Sequence, residues 1–272
     1  MNHATSLSRG QRWLLALAGE SAGAAPIWHA DAPLAGESAR FIAVVPDPEN
    51  RFARARENVV GLEQGWRLAR TVREVVNADA RAATRRPIIA IVDVKSQAYG
   101  YREEMLGIHL ACAAAVDAYA SARQAGHPII ALIVGPAMSG AFLAHGYQAN
   151  RMLALDAPGT MVHAMGKEAA ARVTRRCVEA LDALGETITP MSYSLTGFAK
   201  LGLLDCLIDG VDADAPTSEH IALVQGKLAD AVLSARSGSS DLSHRLDSDA
   251  ARTTRAASIK VRHHLAMQWD AD

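Results

Sequence analysis

The sequence predicts an α/β fold built on a parallel sheet, and three observations carry that expectation. Ile88–Val94 and Ile129–Val134 are unbroken runs dominated by β-branched and aliphatic residues, the pattern of strands covered on both faces. Each run ends in a turn of small or polar residues and passes into a helical pattern. Leu62, Trp66, Ala69, Val72 and Val76 recur at helical spacing ahead of the first run, with Arg67, Arg70, Arg73 and Glu74 on the other faces, so this helix is expected to lay the Trp66 stripe on the sheet. The order strand, helix, strand, helix, strand implies right-handed crossovers between neighbouring parallel strands.

The remaining elements follow in chain order. Residues 1–30 are expected to form an N-terminal arm, with Trp13, Leu14 and Leu17 on a short amphipathic helix or a docking segment. The apolar run at Trp13–Ala18 is too short for a secretory leader despite Arg9 and Arg12 before it. Ile27–Ala30 and Arg40–Val45 read as strands joined by a turn-rich Pro33–Ser38. Glu103 and Glu104 suit a helix's first turn, and the nearly uncharged Met105–Val116 is expected to be buried on several sides. Gly135-Pro136 is expected to stop the central strand, with a helix starting at Gly140. Arg151–Leu155 and Thr160–Ala164 read as short strands, Lys167–Val173, Cys177–Leu184 and Ser194–Leu201 as helices, and Leu203–Asp209 as a last strand. A main domain over 31–236 then gives way to 237–272, read as a mobile Ser/Gly-rich linker at Ser237–Ser243 and a C-terminal helix; the helices are expected at Thr217–Arg236 and Arg252–Met267.

Composition narrows function by exclusion. With 28 Lys and Arg against 29 Asp and Glu, the formal charge of -1 offers no general basic surface for nucleic acid or an anionic membrane. The longest uncharged run, Pro128–Asn150, is broken by Gly135, Pro136, Ser139 and Gly140, so a soluble protein is expected. Three widely spaced cysteines form neither a disulfide framework nor a zinc pattern and suit a reducing cytoplasm. No G-x-x-x-x-G-K-S/T, G-x-G-x-x-G, H-E-x-x-H or C-x-x-C motif is present, so the sequence gives no local signature of a nucleotide or a metal site.

What remains is a pair of helix starts, one after Gly100 and one after Ser139, at the carboxyl ends of two adjacent strands, where ligands of open α/β sheets gather. The first N–H groups of a helix lack intrahelical partners and face an oxyanion or carboxylate well. Such donors suit thioester chemistry that passes through an enolate. Ser139 and His163 also raise a serine hydrolase with a histidine base.

Three segments carry a resemblance: Asn58–Leu68, Pro87–Gly107 with D-V-K-S-Q-A-Y-G-Y-R-E-E, and Gly135–Gly146 with G-P-A-M-S-G-A-F-L-A-H-G. Over about residues 40–235 the chain resembles the crotonase-type carboxyltransferases, and within them the gamma-subunit family of biotin-independent malonate decarboxylases. The resemblance implies a crotonase-like ββα-spiral with C-terminal helices. It also implies partners: a beta subunit of the same fold, an acyl carrier subunit and an acyl-transferase alpha subunit. The malonyl group would ride as a thioester on the carrier's phosphoribosyl-dephospho-coenzyme A, with no biotin and no cofactor bound to this chain. The beta subunit would supply the oxyanion hole for the enolate.

Carried onto this sequence, a second hole falls on the backbone N–H of Gly140 and Ala141, with the Gly100–Tyr101 turn beside it. Tyr99, Met138, Ser139, His145 and His163 are the expected substrate contacts, and Tyr99, Tyr101, His145 and His163 all stand as proton donors to the enolate. The superfamily's ATP-dependent serine proteases place their serine where this chain has Met138 and their histidine at His163, so the resemblance argues against a protease. The competing readings are a self-sufficient acyl-coenzyme A hydratase or isomerase and a non-catalytic scaffold for the beta subunit.

Overall fold

Alternation along two strands explains why their runs are apolar at nearly every position. In β4 (Ile88–Val94), Ile88, Ala90, Val92 and Val94 join one core while Ile89 and Ile91 join another. In β6 (Ile129–Met138), Ile129, Ala131 and Ile133 face the first core and Ile130, Leu132 and Val134 the second. A strand coated on both sides favours apolar residues at every position, and the exception here, Asp93 in β4, is buried and hydrogen-bonded. The computed structural model describes residues 7–269. The first six residues of the expected arm at 1–30 and the last three of the segment at 237–272 lie outside that range.

Among the described residues the main sheet has seven strands. β1 (Ile27–Leu34) pairs antiparallel with β2 (Glu37–Val44), and β2, β4, β6, β7 (Arg151–Leu155) and β9 (Cys206–Ile208) continue in parallel, with β8 (Met161–His163) also pairing with β6. A second, two-stranded sheet pairs β3 (Val59–Val60) with β5 (Ser96–Gln97). Helix α1 (Arg9–Ala18) buries Trp13, Leu14 and Leu17 on one face of the main sheet, and the buried Asp93 carboxylate accepts from Gly10 N at 3.0 Å, tying that helix start to β4. Helices α2 (Leu62–Ala78) and α4 (Ile108–Gln124) lie on the opposite face, and a Cβ on Gly65 would sit 2.7 Å from the Ala111 backbone. Glycine is what lets these two helices approach.

Several sequence expectations are corrected. The hairpin turn is only Ala35-Gly36, both at positive φ, so Pro33 and Ser38 are strand residues. Trp66 is 51% exposed; Leu68, Ala69, Val72 and Val75 form the seam instead. The stretch expected to be buried from Met105 breaks at Gly107 (φ 80) between α3 (Tyr101–Met105) and α4, and Met105, Leu106 and Leu110 are exposed. Gly135-Pro136 does not stop β6. Past Ile133 the strand changes partner from β7 to β8, pairing Pro136 with Met161 and Met138 with His163, while its register with β4 shifts between Val92 and Val94.

Four further helices follow: α5 (Ser139–Ala144), α6 (Lys167–Thr174), α7 (Val178–Thr187) and α8 (Leu195–Lys200). Helix α9 (Ser218–Ser237) covers the α1 face with Val224, Leu228 and Val232. Just past the expected linker at Ser237–Ser243, a short 3-10 helix over Ser243–Leu246 buries Arg245, whose guanidinium donates to the Tyr147 and Ala149 carbonyls at 2.9 and 2.6 Å. The last helix is broken at Arg255 into α10 (Asp249–Thr254) and α11 (Ala256–Trp269), and α11 buries none of its residues. Among the described residues no helix is long and apolar enough to cross a membrane.

Candidate functional site

The partner change that prolongs β6 also builds the site. Met138 is still extended (φ -119, ψ 143), and Ser139 then turns into the left-handed region at φ 59 to start α5. A left-handed serine costs on the order of 1–3 kcal/mol, strain concentrated where strand becomes helix. Among the described residues no side chain caps α5, so the N–H groups that open this helix have no partner within it. The pairing of Met138 with His163 brings β8 alongside the turn. Ser139, Gly140 and His163 thus line one cavity of about 390 Å³, whose other walls include Phe142, Leu143 and Phe198.

Gly140 has little room for a side chain. A Cβ there would collide with Gln97 Oε1, and since Gln97 lies on β5, the second small sheet delivers a polar amide to the mouth of the turn. Sequence reasoning quoted Gln97 only inside a motif. Its position depends on Val60 pairing with Gln97 across β3 and β5, a contact with no local signal in the sequence.

His163 stacks on Tyr193, with ring centroids 3.7 Å apart and planes inclined by 14°, and its Nδ1 lies 3.0 Å from the Met165 carbonyl. Tyr193 donates from its hydroxyl to the same carbonyl at 2.7 Å. Burial pushes the His163 pKa down, which keeps the ring neutral at pH 7. Among the described residues no hydrogen bond joins Ser139 to His163, so the pair lacks the nucleophile–base contact of a serine hydrolase.

The other expected site residues disperse. Ala141 and Met138 are buried beneath the turn, available through backbone alone. Tyr99 lines a neighbouring cavity with Arg54, Ser96 and Gln97, and Tyr101 is 81% exposed. Gly100 precedes α3, and a Cβ there would collide with Glu103 Oε2 and lie 3.0 Å from Arg54 Nε. The Glu103 carboxylate therefore already lies against this helix start, and a second anion would meet its charge. His145 is a correction: it is fully buried, its Nδ1 3.0 Å from the Tyr119 hydroxyl and its Nε2 3.0 Å from the Ile91 carbonyl. The helix ends just before it, in an extended residue that turns the ring into the core instead of the cleft.

Comparison with known proteins gives these features a context. A solved Pseudomonas malonate decarboxylase hetero-tetramer in complex with coenzyme A contains a chain 51% identical, with a TM-score of 0.91, covering 96% of this chain and 100% of that one. A Pseudomonas malonate decarboxylase MdcD-MdcE hetero-dimer matches at 51% identity and a TM-score of 0.88 over the same shares. The curated Malonyl-S-ACP:biotin-protein carboxyltransferase MADD of Malonomonas rubra is 36% identical over 165 residues, 60% of this chain and 56% of that protein, so the match spans about half of that relative. Transcarboxylase 12S, at 20% identity, a TM-score of 0.62 and coverage of 88% of this chain and 45% of that one, shares the fold. The expected crotonase-like fold is thereby shown. The family model described as malonate decarboxylase gamma subunit matches residues 55–269, which contain the turn, the cavity and Gln97. The chain belongs to the malonate decarboxylase gamma-subunit family.

Proposed function

We propose that this chain, assembled with a beta subunit of the same fold, decarboxylates a malonyl thioester carried by an acyl carrier subunit. The reaction is a carbon–carbon lyase step. The bond to the carboxylate breaks, CO2 leaves, and the electron pair moves onto the thioester carbonyl oxygen as an enolate, which a proton converts to the acetyl thioester. One observation carries the reading: the left-handed turn at Ser139 opens an uncapped helix start into an apolar cavity. The Gly140 and Ala141 N–H groups orient the departing carboxylate, and the Phe142, Leu143 and Phe198 walls exclude water from it. Neutral donors suit this step better than a cation. A lysine or arginine there would stabilise the ground-state carboxylate, whose charge is lost in the transition state.

The Glu103 carboxylate beside Gly100 narrows this chain's hole to Gly140 and Ala141. His163 at the cavity wall accepts from Met165 N–H at Nδ1 in the tautomer that keeps its proton on Nε2, and that Nε2–H is the proton it would hand to the enolate. The thioester would be presented on phosphoribosyl-dephospho-coenzyme A of the carrier, loaded by an acyl-transferase alpha subunit, in the cytoplasm. Biotin and metal have no part in the proposal. Support for an obligate partner comes from Tyr101, Met105, Leu106 and Leu110, which run from α3 into the first turn of α4 and whose exposure is 81%, 66%, 60% and 58%. Apolar side chains so exposed in succession mark an interaction surface.

The test is to assay the chain alone and reconstituted with the beta subunit, on malonyl and enoyl thioesters. Decarboxylation only in the reconstituted complex is expected. Turnover of an enoyl thioester by the isolated chain would overturn the proposal in favour of a self-sufficient hydratase or isomerase.

A further inference from the structure

The His163 ring meets both backbone groups of a single residue, Met165. Its Nδ1 lies 3.0 Å from the Met165 carbonyl oxygen, to which it can only donate, and 3.2 Å from the Met165 nitrogen, from which it can only accept. A neutral imidazole carries one proton, so these two bonds belong to opposite tautomers. Among the described residues the Met165 N–H has no acceptor except Nδ1, whereas the Met165 carbonyl already accepts from the Tyr193 hydroxyl at 2.7 Å. With the proton on Nε2, every group therefore finds a partner: the hydroxyl and the carbonyl pair with each other, and the N–H pairs with Nδ1. Moving the proton to Nδ1 strands the Met165 N–H and puts two donors on one oxygen, a loss of one hydrogen bond.

Tyr193 fixes the ring as well as the proton. The stack at 3.7 Å and 14° holds the His163 plane, and Lys167 Nζ, itself paired with Asp182 at 2.7 Å, lies 5.4 Å from the centre of the Tyr193 ring. Tyr193 and Lys167 line a separate cavity of about 380 Å³, so the tyrosine acts through His163 and not on the substrate. His163 lines the cavity at Gly140, and its Nε2 has no protein partner among the described residues and is not sealed from solvent. We infer that Tyr193 is a positioning residue, whose hydroxyl occupies the Met165 carbonyl and so keeps His163 in the tautomer with its proton on Nε2. The inference rests on the reading of His163 as proton donor to the enolate, and it adds the residue that keeps the proton on the nitrogen left free.

The experiment is two-bond proton–nitrogen correlation spectroscopy of the full chain with nitrogen-15 histidine at neutral pH, where burial keeps His163 uncharged. The His163 signals are assigned by their loss in His163→Gln. Tyr193→Phe keeps the stacked ring and removes only the hydroxyl. Wild-type His163 should be protonated at Nε2, and in Tyr193→Phe the ratio of Nδ1–H to Nε2–H should rise roughly three- to tenfold, the value of one hydrogen bond. In the complex with the beta subunit, kcat for the malonyl thioester should fall in proportion to the Nε2–H share that is lost, with KM unchanged, a correlation that loosened packing would not produce. A wild-type ring protonated at Nδ1, which needs no variant to be seen, or an unchanged tautomer ratio in folded Tyr193→Phe, overturns the inference. A shifted tautomer with no matching fall in kcat leaves Tyr193 as the group that sets the ring and instead overturns His163 as the proton donor, so the two failures are told apart.

Discussion

Ser139→Gly separates the backbone of the turn from its hydroxyl. In the left-handed region at φ 59, a side chain costs about 1–2 kcal/mol from its Cβ contact with the following carbonyl. Glycine removes that cost but adds about 0.5–1 kcal/mol by losing more freedom on folding. The net is a gain between about zero and 1.5 kcal/mol. For a chain of this size that corresponds to a rise in Tm of up to about 5 °C and no fall. Because the turn keeps its shape, the Gly140 and Ala141 donors keep their direction, and kcat for malonyl thioester in the complex with the beta subunit should stay within about twofold of wild type. A serine nucleophile would give a different result, since removing one costs on the order of 10⁶-fold in kcat. The assay is steady-state CO2 release by the reconstituted complex, with differential scanning calorimetry on the same preparations. A loss of several orders of magnitude with unchanged or raised Tm would refute the backbone mechanism and restore Ser139 as a chemical participant.

Two further outcomes follow from the core. Gly65→Ala should destabilise by about 1–3 kcal/mol, measured as a fall in the urea midpoint, because the new methyl meets the Ala111 backbone and α2 must move off α4. His145 should make stability pH-dependent. Burial pushes its pKa down from 6.5 to about 4, so between those values the unfolded chain binds a proton that the folded chain refuses. That contribution is present in full above about pH 6.5 and is lost as pH falls toward about 4, on the order of 3 kcal/mol in all. Urea unfolding at pH 7 and pH 5 should show a smaller difference in His145→Phe than in wild type, and an equal difference would contradict the core placement.

Much of the sheet was legible because it obeys local rules. Ile88–Val94 is apolar at every position but Asp93, and Ile129–Val134 at every position, since both faces of each strand are covered, and Arg151–Leu155 matches β7 end to end. Errors arose where a distant partner overrides a local signal. Pro136 looks like a strand terminator, yet Met161 supplies a new neighbour and the strand continues. Trp66 fits a helical stripe with Leu62 and Ala69, but α4 approaches along Gly65 and Leu68 and leaves the indole outside.

The site was legible in its turn and less so in its surroundings. Small residues at Ser139–Ala141 announce a close backbone approach, and His163 could be placed beside them through the family resemblance. His145 was misplaced because adjacency along the chain says nothing about which side of a helix end its ring takes. Gln97 was missed because its contact with Gly140 joins two sheets that no sequence period connects.

The backbone hole can be tested without adding a side chain. Substitution of Gly140 by proline or alanine would drive a new atom into Gln97, and the left-handed Ser139 before it is a poor neighbour for proline. Replacing the amide between Ser139 and Gly140 with an ester removes the single N–H and leaves Cα bare. In the reconstituted complex this change should lower kcat/KM for the malonyl thioester by roughly 10- to 10²-fold, the value of one hydrogen bond to a charged group that orients the carboxylate, with assembly and Tm close to wild type. Wild-type kcat/KM in an assembled complex carrying that ester would contradict the assignment of the Gly140 N–H as a working part of the site.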